Sequence, residues 1–552
     1  MSKCYIKPKL FSVMKNYSKA QFLKDIVAGV IVAIIALPLS IALAIASGVE
    51  PAAGVYTAIA AGFVCAFLGG SRVQIAGPTA AFATIVAGIV ATKGMGGLMV
   101  ATILAGIILI VLGLCKMGSL VKFIPYTITT GFTAGIAVTI LVGQIKDFLG
   151  LSYAAGVKPI ETFEKIKANI EAIGTFSWQS LLVGTVCLAI LIFYPKVEKR
   201  IPASLIAVVF GALMVKFIPG MEENVFTIGD LYTIPKGLPT VSFEGVDFSL
   251  SNIASLLPDA FTIAILAAIE SLLSCVVADS MVNSRHNSNA ELVAQGAGNI
   301  ASVLFGGIPA TGAIARTAAN AKNGGRTPVS GMVHSVVLLM VILFLMPYAE
   351  LIPMPAIAAI LFVVAYNMSE WRKFVKIVKS APKSDIIVMI ITFILTVVFD
   401  LVVAIEVGMV LASMLFMKRM SEESSVTGWK YIDPETDPDS IDLRKVPQNV
   451  RVYEISGPMF FGAADKILDI RLKDYTHCLI LRMRAVPALD ATAMNSLERV
   501  LEKCKKQGVT LILSHVNEQP LEVMKKSGFY DAVGPENFCS HIDEALQKGA
   551  KL

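Results

Sequence analysis

The stretch Gly306-Gly307-Ile308-Pro309-Ala310-Thr311-Gly312-Ala313-Ile314-Ala315-Arg316 interrupts a long apolar region with glycine, proline and one full charge. A companion stretch, Ala267-Ala268-Ile269-Glu270-Ser271-Leu272-Leu273-Ser274, sets a carboxylate in equally apolar surroundings. An ionisable side chain at membrane depth costs about 3 kcal/mol or more, and persists where it faces a partner, an ion or a water-filled cavity. Glu270 and Arg316 are therefore the candidate centre of a transport site for an anion.

The wider composition agrees. With 55% hydrophobic and 16% charged residues among 552, and a mean hydropathy of +0.71, the chain reads as a polytopic membrane protein. Its formal charge of +6 does not point to nucleic acid: Lys and Arg gather at the ends of apolar runs, and no basic patch carries interleaved aromatics. The eight cysteines (Cys4, Cys65, Cys115, Cys187, Cys275, Cys478, Cys504, Cys539) lack CxxC or His pairing, so neither disulfides nor a metal site is expected. His286, His334, His477, His515 and His541 are dispersed. No Ser/His/Asp, Walker or metal constellation is read, so neither enzyme activity nor a cofactor is expected. The start, Met1 to Lys24, lacks a signal-peptide pattern, which makes the first apolar run a permanent span.

Apolar runs fall at 26–47, 52–69, 80–92, 98–115, 121–145, 177–195 and 201–219. A second set falls at 258–282, 291–306, 312–323, 328–346, 352–366, 385–399 and 401–418. Most approach the ~20 residues that cross a bilayer, but 80–92 and 312–323, each third in its set, are too short. Pro38 lies 40 residues before Pro78, which opens the third run; Glu270 lies 39 before Pro309, which opens the tenth. An odd number of spans per set turns the second copy upside down. Short, Gly/Pro-interrupted segments at matching places in two halves point to a transporter's binding site. The predicted fold is a polytopic α-helical membrane protein of 14 spans, arranged as a 7+7 inverted repeat, followed by a small cytosolic α/β domain.

The expected domains are an N-terminal cytosolic segment 1–25, a transmembrane domain 26–420 (repeats 26–219 and 254–420), a linker 421–448 and the α/β domain 449–552. Pro434, Pro438 and Pro447 suit a linker. Beyond it, Arg451–Ile455, Cys478–Met483 and Thr510–Ser514 read as strands. Ala464–Leu472, Ala493–Lys506, Pro520–Ser527 and His541–Lys548 read as helices. Basic connections after the even-numbered runs (Arg72, Lys116, Lys122, Lys196, Arg285, Lys322, Arg326, the Arg372–Lys383 cluster, Lys418, Arg419), against an acidic 220–257, put both termini in the cytoplasm. Asp400 and Glu406, at the turn between the last two spans, read as end caps.

The short runs 3 and 10 are expected to be half-helices whose N-termini meet near mid-membrane. Free amides near Ala81, Phe82, Ala315 and Arg316, with the helix dipoles, form an anion cradle. Glu270 and Ser274, four apart, share the helical face that points at it. Arg316 either serves the anion or pairs with Glu270 to hold spans 8 and 10 together. Two helix N-termini supply about +0.5 each and Arg316 adds +1. A dianion then leaves the site neutral when Glu270 is protonated, and a monoanion when it is ionised, which assigns proton coupling to Glu270. Leu39 and Phe82 are expected to shape the cavity.

The run Ala278-Asp279-Ser280 through Asn283-Ser284-Arg285-His286-Asn287-Ser288-Asn289-Ala290-Glu291-Leu292, Gln295-Gly296-Ala297-Gly298-Asn299 and Phe305-Gly306-Gly307-Ile308-Pro309 resembles the SulP family of anion permeases, which includes the sulfate permeases. Asp25-Ile26-Val27-Ala28-Gly29, Ala36-Leu37-Pro38 and Ala76-Gly77-Pro78 agree, and the C-terminal region resembles the STAS domain that follows the membrane part in this family. The resemblance implies a core of spans 1–4 and 8–11, a gate of spans 5–7 and 12–14, a homodimer in the cell membrane, and elevator-like movement of the core. It places the family's span-8 carboxylate on Glu270 and its span-10 arginine on Arg316. Members with this pair resemble proton-linked or exchange-type carriers. The function implied is secondary active anion transport, with proton-coupled sulfate symport ahead of dicarboxylate transport, bicarbonate transport or anion exchange.

Some positions depart from the family's patterns. Bicarbonate members have Asp at the Glu270 position, Thr at the Ile314 position and no arginine at the Arg316 position; Ile314 offers no oxygen for sodium. Many sulfate carriers have Gln where this chain has Leu39, a change that favours a partly apolar substrate such as a dicarboxylate. In the STAS part, Leu489-Asp490-Ala491-Thr492 puts Ala491 where related soluble domains carry a phosphorylatable Ser, which favours scaffolding or binding of a cytosolic partner over switching. Two other readings stay open: an anion channel of the same fold, with passive flux unlinked to pH, and a sensor whose output is the STAS domain.

Overall fold

Proline and glycine set the helix boundaries. Pro51 begins one helix, and Pro125, Pro202, Pro353 and Pro382 each stand immediately before another. The locked φ of proline and its missing amide suit the entry to a helix. The computed structural model describes residues 7–119, 125–157, 159–198, 202–232, 241, 243, 246–399, 401–428, 446–460, 465–468, 470 and 476–552. They form two compact units, Met1–Met409 and Val410–Leu552.

Among the described residues the apolar runs fall on helices along most of their length. The first repeat holds α1 (Lys19–Ala46), α2 (Pro51–Leu68), strand β1 (Ala76–Gly77), α3 (Ala80–Leu114), α4 (Tyr126–Leu149), α5 (Trp178–Val197) and α6 (Ala203–Phe217). The second holds α7 (Leu250–Val282), α8 (Ser288–Leu304), strand β2 (Thr311–Gly312), α9 (Ile314–Lys322), α10 (Val329–Leu345), α11 (Met354–Ser369), α12 (Trp371–Ser380), α13 (Lys383–Val398) and α14 (Leu401–Glu423). Runs 3 and 4 are the two halves of α3, broken at Gly94, whose φ of 69° is a left-handed value. Among the described residues, seven helices are long and apolar enough to cross a membrane.

The helices sort into the two groups expected. The core gathers α1, α2, α3, α7, α8, α9 and α10; α4 packs chiefly on α11 and α13, and α5 on α11 and α6. Lipid tails are as apolar as leucine, so helix association inside a bilayer depends on close backbone approach, which small residues permit. Between α3 and α8 a Cβ on Gly106 would lie 2.7 Å from the Gly296 carbonyl, and one on Gly113 would lie 2.7 Å from the Asn289 carbonyl. Gly296→Leu is therefore expected to lower stability by at least the 1–3 kcal/mol typical of overpacking. A drop in the melting temperature of the detergent-solubilised protein measures it; an unchanged melt contradicts this packing.

The second unit carries a five-stranded sheet in the order β3-β4-β5-β6-β7, from Ser425–Gly428, Val450–Ser456, Cys478–Ala485, Thr510–Ser514 and Phe538–Cys539. Strand β3 joins antiparallel and the other neighbours pair in parallel. Helices α15 (Ala491–Lys506), α16 (Glu518–Lys526) and α17 (Ile542–Gly549) follow the expected periodicities. Both faces of the sheet are covered: Leu479, Leu481, Leu511 and Leu513 on one side, Cys478, Ile480 and Ile512 on the other. Strand β3 lies within the stretch read as a linker; residues 429–445 of that stretch and Asp400 lie outside the described residues, and of the helix expected at Ala464–Leu472 the described part forms a helix at Asp465–Leu468. Asp490 caps α15 by accepting the Ala493 amide at 2.8 Å.

Candidate functional site

Pro78 and Pro309 each force extended backbone on the residue before them. Beside them, Ala76 pairs with Gly312 and Gly77 with Thr311 in a two-residue antiparallel ladder. Because the strands are antiparallel, α3 and α9 leave the ladder in opposite directions, and both N-termini lie next to it. Thr79 and Ala313 are their N-caps, and neither side chain caps its helix. Amides ahead of the first helical bond have no acceptor within the helix. In α9 that bond runs from Thr317 to Ala313; the amides of Ile314, Ala315 and Arg316 precede it. In α3 the Phe82 amide donates to the Thr79 carbonyl at 3.2 Å, so Ala80 and Ala81 present the open amides of that turn. The Phe82 side chain is fully buried, and the Leu39 side chain half-buried.

Thr79 turns its hydroxyl away from its own helix and donates to Glu270 Oε2 at 2.9 Å. The half-buried Glu270 carboxyl thus sits at the positive end of α3. Arg316 takes another direction. Its guanidinium is 1% exposed, crosses to β1 beside Gly77, and donates from Nη2 to the Pro78 carbonyl at 3.0 Å. Its Nε and Nη1 have no hydrogen-bond partner. Among the described residues Glu270 and Arg316 form no ion pair, so the guanidinium keeps donors for a third group. A side chain on Gly77 would collide with that guanidinium.

Ser274 faces the ladder but is already engaged: its hydroxyl donates to Thr317 Oγ1 at 3.1 Å, which also takes the Ile75 amide at 3.1 Å. One turn away, Ser271 Oγ lies 2.9 Å from Thr311 Oγ1 and accepts the Gly312 amide at 3.0 Å. Helix α7 therefore pins the ladder with two serines and offers Glu270 beside it. Sequence reading missed Thr79, Ser271, Thr311 and Thr317; the signal available was a hydroxyl residue directly after Pro78 and Pro309-Ala310, and a Ser at 271 one helical turn from Ala267.

Helix α8 supports both re-entrant turns with a polar stripe at four-residue spacing. Glu291 accepts the amides of Gly70 at 2.9 Å and Ser71 at 3.2 Å and the side-chain amides of Gln74 at 2.8 Å and Gln295 at 3.0 Å. Asn299 holds Ala310 from both sides, with 2.8 Å bonds to its carbonyl and from its amide. Ser302 donates to the Ile308 carbonyl at 2.6 Å, and Thr57 takes the Ile308 amide at 2.7 Å. Asn299→Leu leaves both Ala310 groups unpaired, at about 1–3 kcal/mol each. It is expected to lower the melting temperature and weaken anion-dependent stabilisation; unchanged values would remove Asn299 from the site's support.

The structure also brings together a Ser, a His and an Asp that sequence reading left apart. Asp279 Oδ2 lies 2.7 Å from His286 Nδ1 and accepts the His286 amide at 2.9 Å, while Ser288 Oγ lies 2.9 Å from His286 Nε2. Asp279 also accepts the Ser284 hydroxyl at 2.9 Å, so the cluster closes the turn from α7 into α8. No group of three or more His, Cys, Asp or Glu suited to a metal occurs among the described residues.

The model of the sulfate permease family matches residues 22–392. The chain belongs to the sulfate permease family. It is 40% identical over 539 residues to the Bacillus subtilis protein named "Putative sulfate transporter YvdB", covering 96% of this chain and 98% of that one. It is also 31% identical to a Picosynechococcus protein named "Bicarbonate transporter BicA", covering 95% of this chain and 94% of that one. The solved transmembrane domain of a cyanobacterial BicA superposes with a TM-score of 0.61 at 30% identity, over 72% of this chain and 98% of that one. Murine Slc26a9 in its inward-facing state shares the fold, with a TM-score of 0.88 at 18% identity over 99% of this chain and 94% of that one. The STAS domain model matches residues 441–545. The chain is thus a multi-pass membrane protein of an anion-transport family with a C-terminal STAS domain.

Proposed function

We propose that this protein is a secondary active transporter that carries sulfate together with a proton, and that Glu270 carries the proton. The observation that supports it most is the charge balance around the ladder: two open helix N-termini, a buried Arg316 with unpaired donors, and a carboxyl bound to Thr79 rather than to Arg316. The cationic groups sum to about +2, which a dianion balances when Glu270 is protonated. The substrate-binding groups in this reading are the Ala81 and Ala315 backbone, Phe82, Arg316, Glu270 and Ser274, with Leu39 at the cavity wall. Phe82 contributes its ring rather than its amide.

Alternating access proceeds by movement of the core, with its ladder, against the gate as an elevator. The protein works as a homodimer in the cell membrane with both termini in the cytoplasm, built as segment 1–25, transport domain 26–420, linker 421–448 and STAS domain 449–552. The STAS domain binds a cytosolic partner or acts as a scaffold; Ala491 offers no hydroxyl for phosphorylation.

A second reading, bicarbonate transport, is favoured by the relative named for it and by the same charge count with Glu270 ionised. Radiolabelled uptake into proteoliposomes separates the substrates. Sulfate, fumarate and bicarbonate are compared under an inward proton gradient, without and with sodium. Proton-driven sulfate accumulation is the expected result; sodium-driven bicarbonate uptake would overturn the proposal.

A further inference from the structure

Helix α12 joins the ends of two spans, α11 and α13, and none of its residues is buried. Its sequence, Trp371-Arg372-Lys373-Phe374-Val375-Lys376-Ile377-Val378-Lys379-Ser380, divides by helical period. Trp371, Phe374, Val375 and Val378 recur at i, i+3, i+4 and i+7, which makes one apolar stripe. Arg372, Lys376 and Lys379 recur at i, i+4 and i+7 on another face. Along the apolar stripe Phe374 packs on the neighbouring span, its ring edge-on to Phe393 at 5.6 Å. Trp371, Val375 and Val378 are 48%, 39% and 40% exposed. The Trp371 indole donates to the Tyr366 hydroxyl at 3.2 Å, and Arg372 lies over its ring at 5.5 Å.

The charges around this helix are one-sided. Between residues 370 and 385 five cations (Arg372, Lys373, Lys376, Lys379, Lys383) face two anions (Glu370, Asp385), a net charge of 5 − 2 = +3. Glu370 is held by Lys373 at 2.6 Å. An open apolar stripe beside a cationic one, anchored at both ends to membrane spans, matches the boundary between lipid headgroups and acyl chains. Anionic headgroups supply the charge that the protein does not.

We propose that α12 is an anionic-phospholipid site, in which Arg372, Lys376 and Lys379 bind headgroup phosphates and Trp371, Val375 and Val378 enter the acyl boundary. Since α11 and α13 both pack on α4, the lipid is bound at the gate. The inference does not depend on which anion is carried.

The test uses the full chain in nanodiscs with Trp178 and Trp429 replaced by Phe, which leaves Trp371 as the reporter. Lipids carry brominated or plain acyl chains, with or without phosphatidylglycerol. The expected result is quenching of Trp371 by brominated chains, because the stripe enters the acyl boundary, and stronger quenching with phosphatidylglycerol. The variant R372Q/K376Q/K379Q, all exposed positions, keeps the fold and abolishes the phosphatidylglycerol effect. Emission that brominated chains do not quench overturns the proposal, and a blue-shifted, unquenched emission places the stripe against protein instead. Quenching that ignores phosphatidylglycerol in both forms overturns the anionic specificity.

Discussion

Glu270→Gln lets sulfate equilibrate across the membrane but abolishes its accumulation by an inward proton gradient. The side chain is half-buried and takes a hydrogen bond from Thr79. Glutamine keeps that shape and an oxygen acceptor while fixing the neutral state, so the charge balance with a dianion survives and binding persists. What disappears is the proton that must be released on the far side. At zero membrane potential each unit of pH gradient is worth about 1.4 kcal/mol, or roughly tenfold accumulation per proton carried. The native chain is expected to reach about tenfold at one unit, and the variant none. Lowering the external pH protonates Glu270 on the loading side and raises uptake, whereas the variant's rate is flat with pH. Retained accumulation in Glu270→Gln would place the coupling group elsewhere.

Arg316→Ala raises the half-saturating sulfate concentration by about 10- to 150-fold, the range set by a charge-assisted hydrogen bond of about 1.5–3 kcal/mol. The guanidinium is buried, donates once to Pro78 and has two unpaired nitrogens, so its removal costs an anion more than it costs the fold. Lysine restores the charge but not the fork, and is expected to recover only part of the loss. Removing one positive charge also shifts preference towards monoanions, because a monoanion beside a protonated Glu270 again leaves the site neutral. Competition of sulfate uptake by chloride and nitrate reads that shift. An unchanged half-saturation in Arg316→Ala would confine this residue to bracing the Pro78 turn.

Much of this architecture is legible in the chain because the decisive residues act on the backbone. Pro78, Pro309 and the glycines beside them interrupt helices wherever they stand, so paired half-helices could be read from spacing alone. Apolar period and length likewise located the spans, alternation located β4, and short continuous apolar runs located β5 and β6. The direction of a long side chain is a different matter. Arg316 could reach Glu270 by sequence distance, yet it turns to Pro78, a carbonyl 238 residues away. The bond from Thr79 to Glu270 spans 191 residues and needs the packing of α7 on α3. Strand β3 escaped notice because four residues, Ser425–Gly428, carry too little pattern; their pairing with β4 defines them. The Glu291, Gln295 and Asn299 stripe was visible as spacing, but its role as a clamp for two turns depends on partners more than 200 residues distant in one case and 11 in the other.

The most direct test of the central claim measures the proton itself. Proteoliposomes loaded with pyranine, clamped at zero potential and free of any imposed pH difference, receive external sulfate. Sulfate entry with a proton is expected to acidify the lumen, and Glu270→Gln to admit sulfate without acidification. Sulfate entry into the native proteoliposomes with no change in luminal pH would contradict the account.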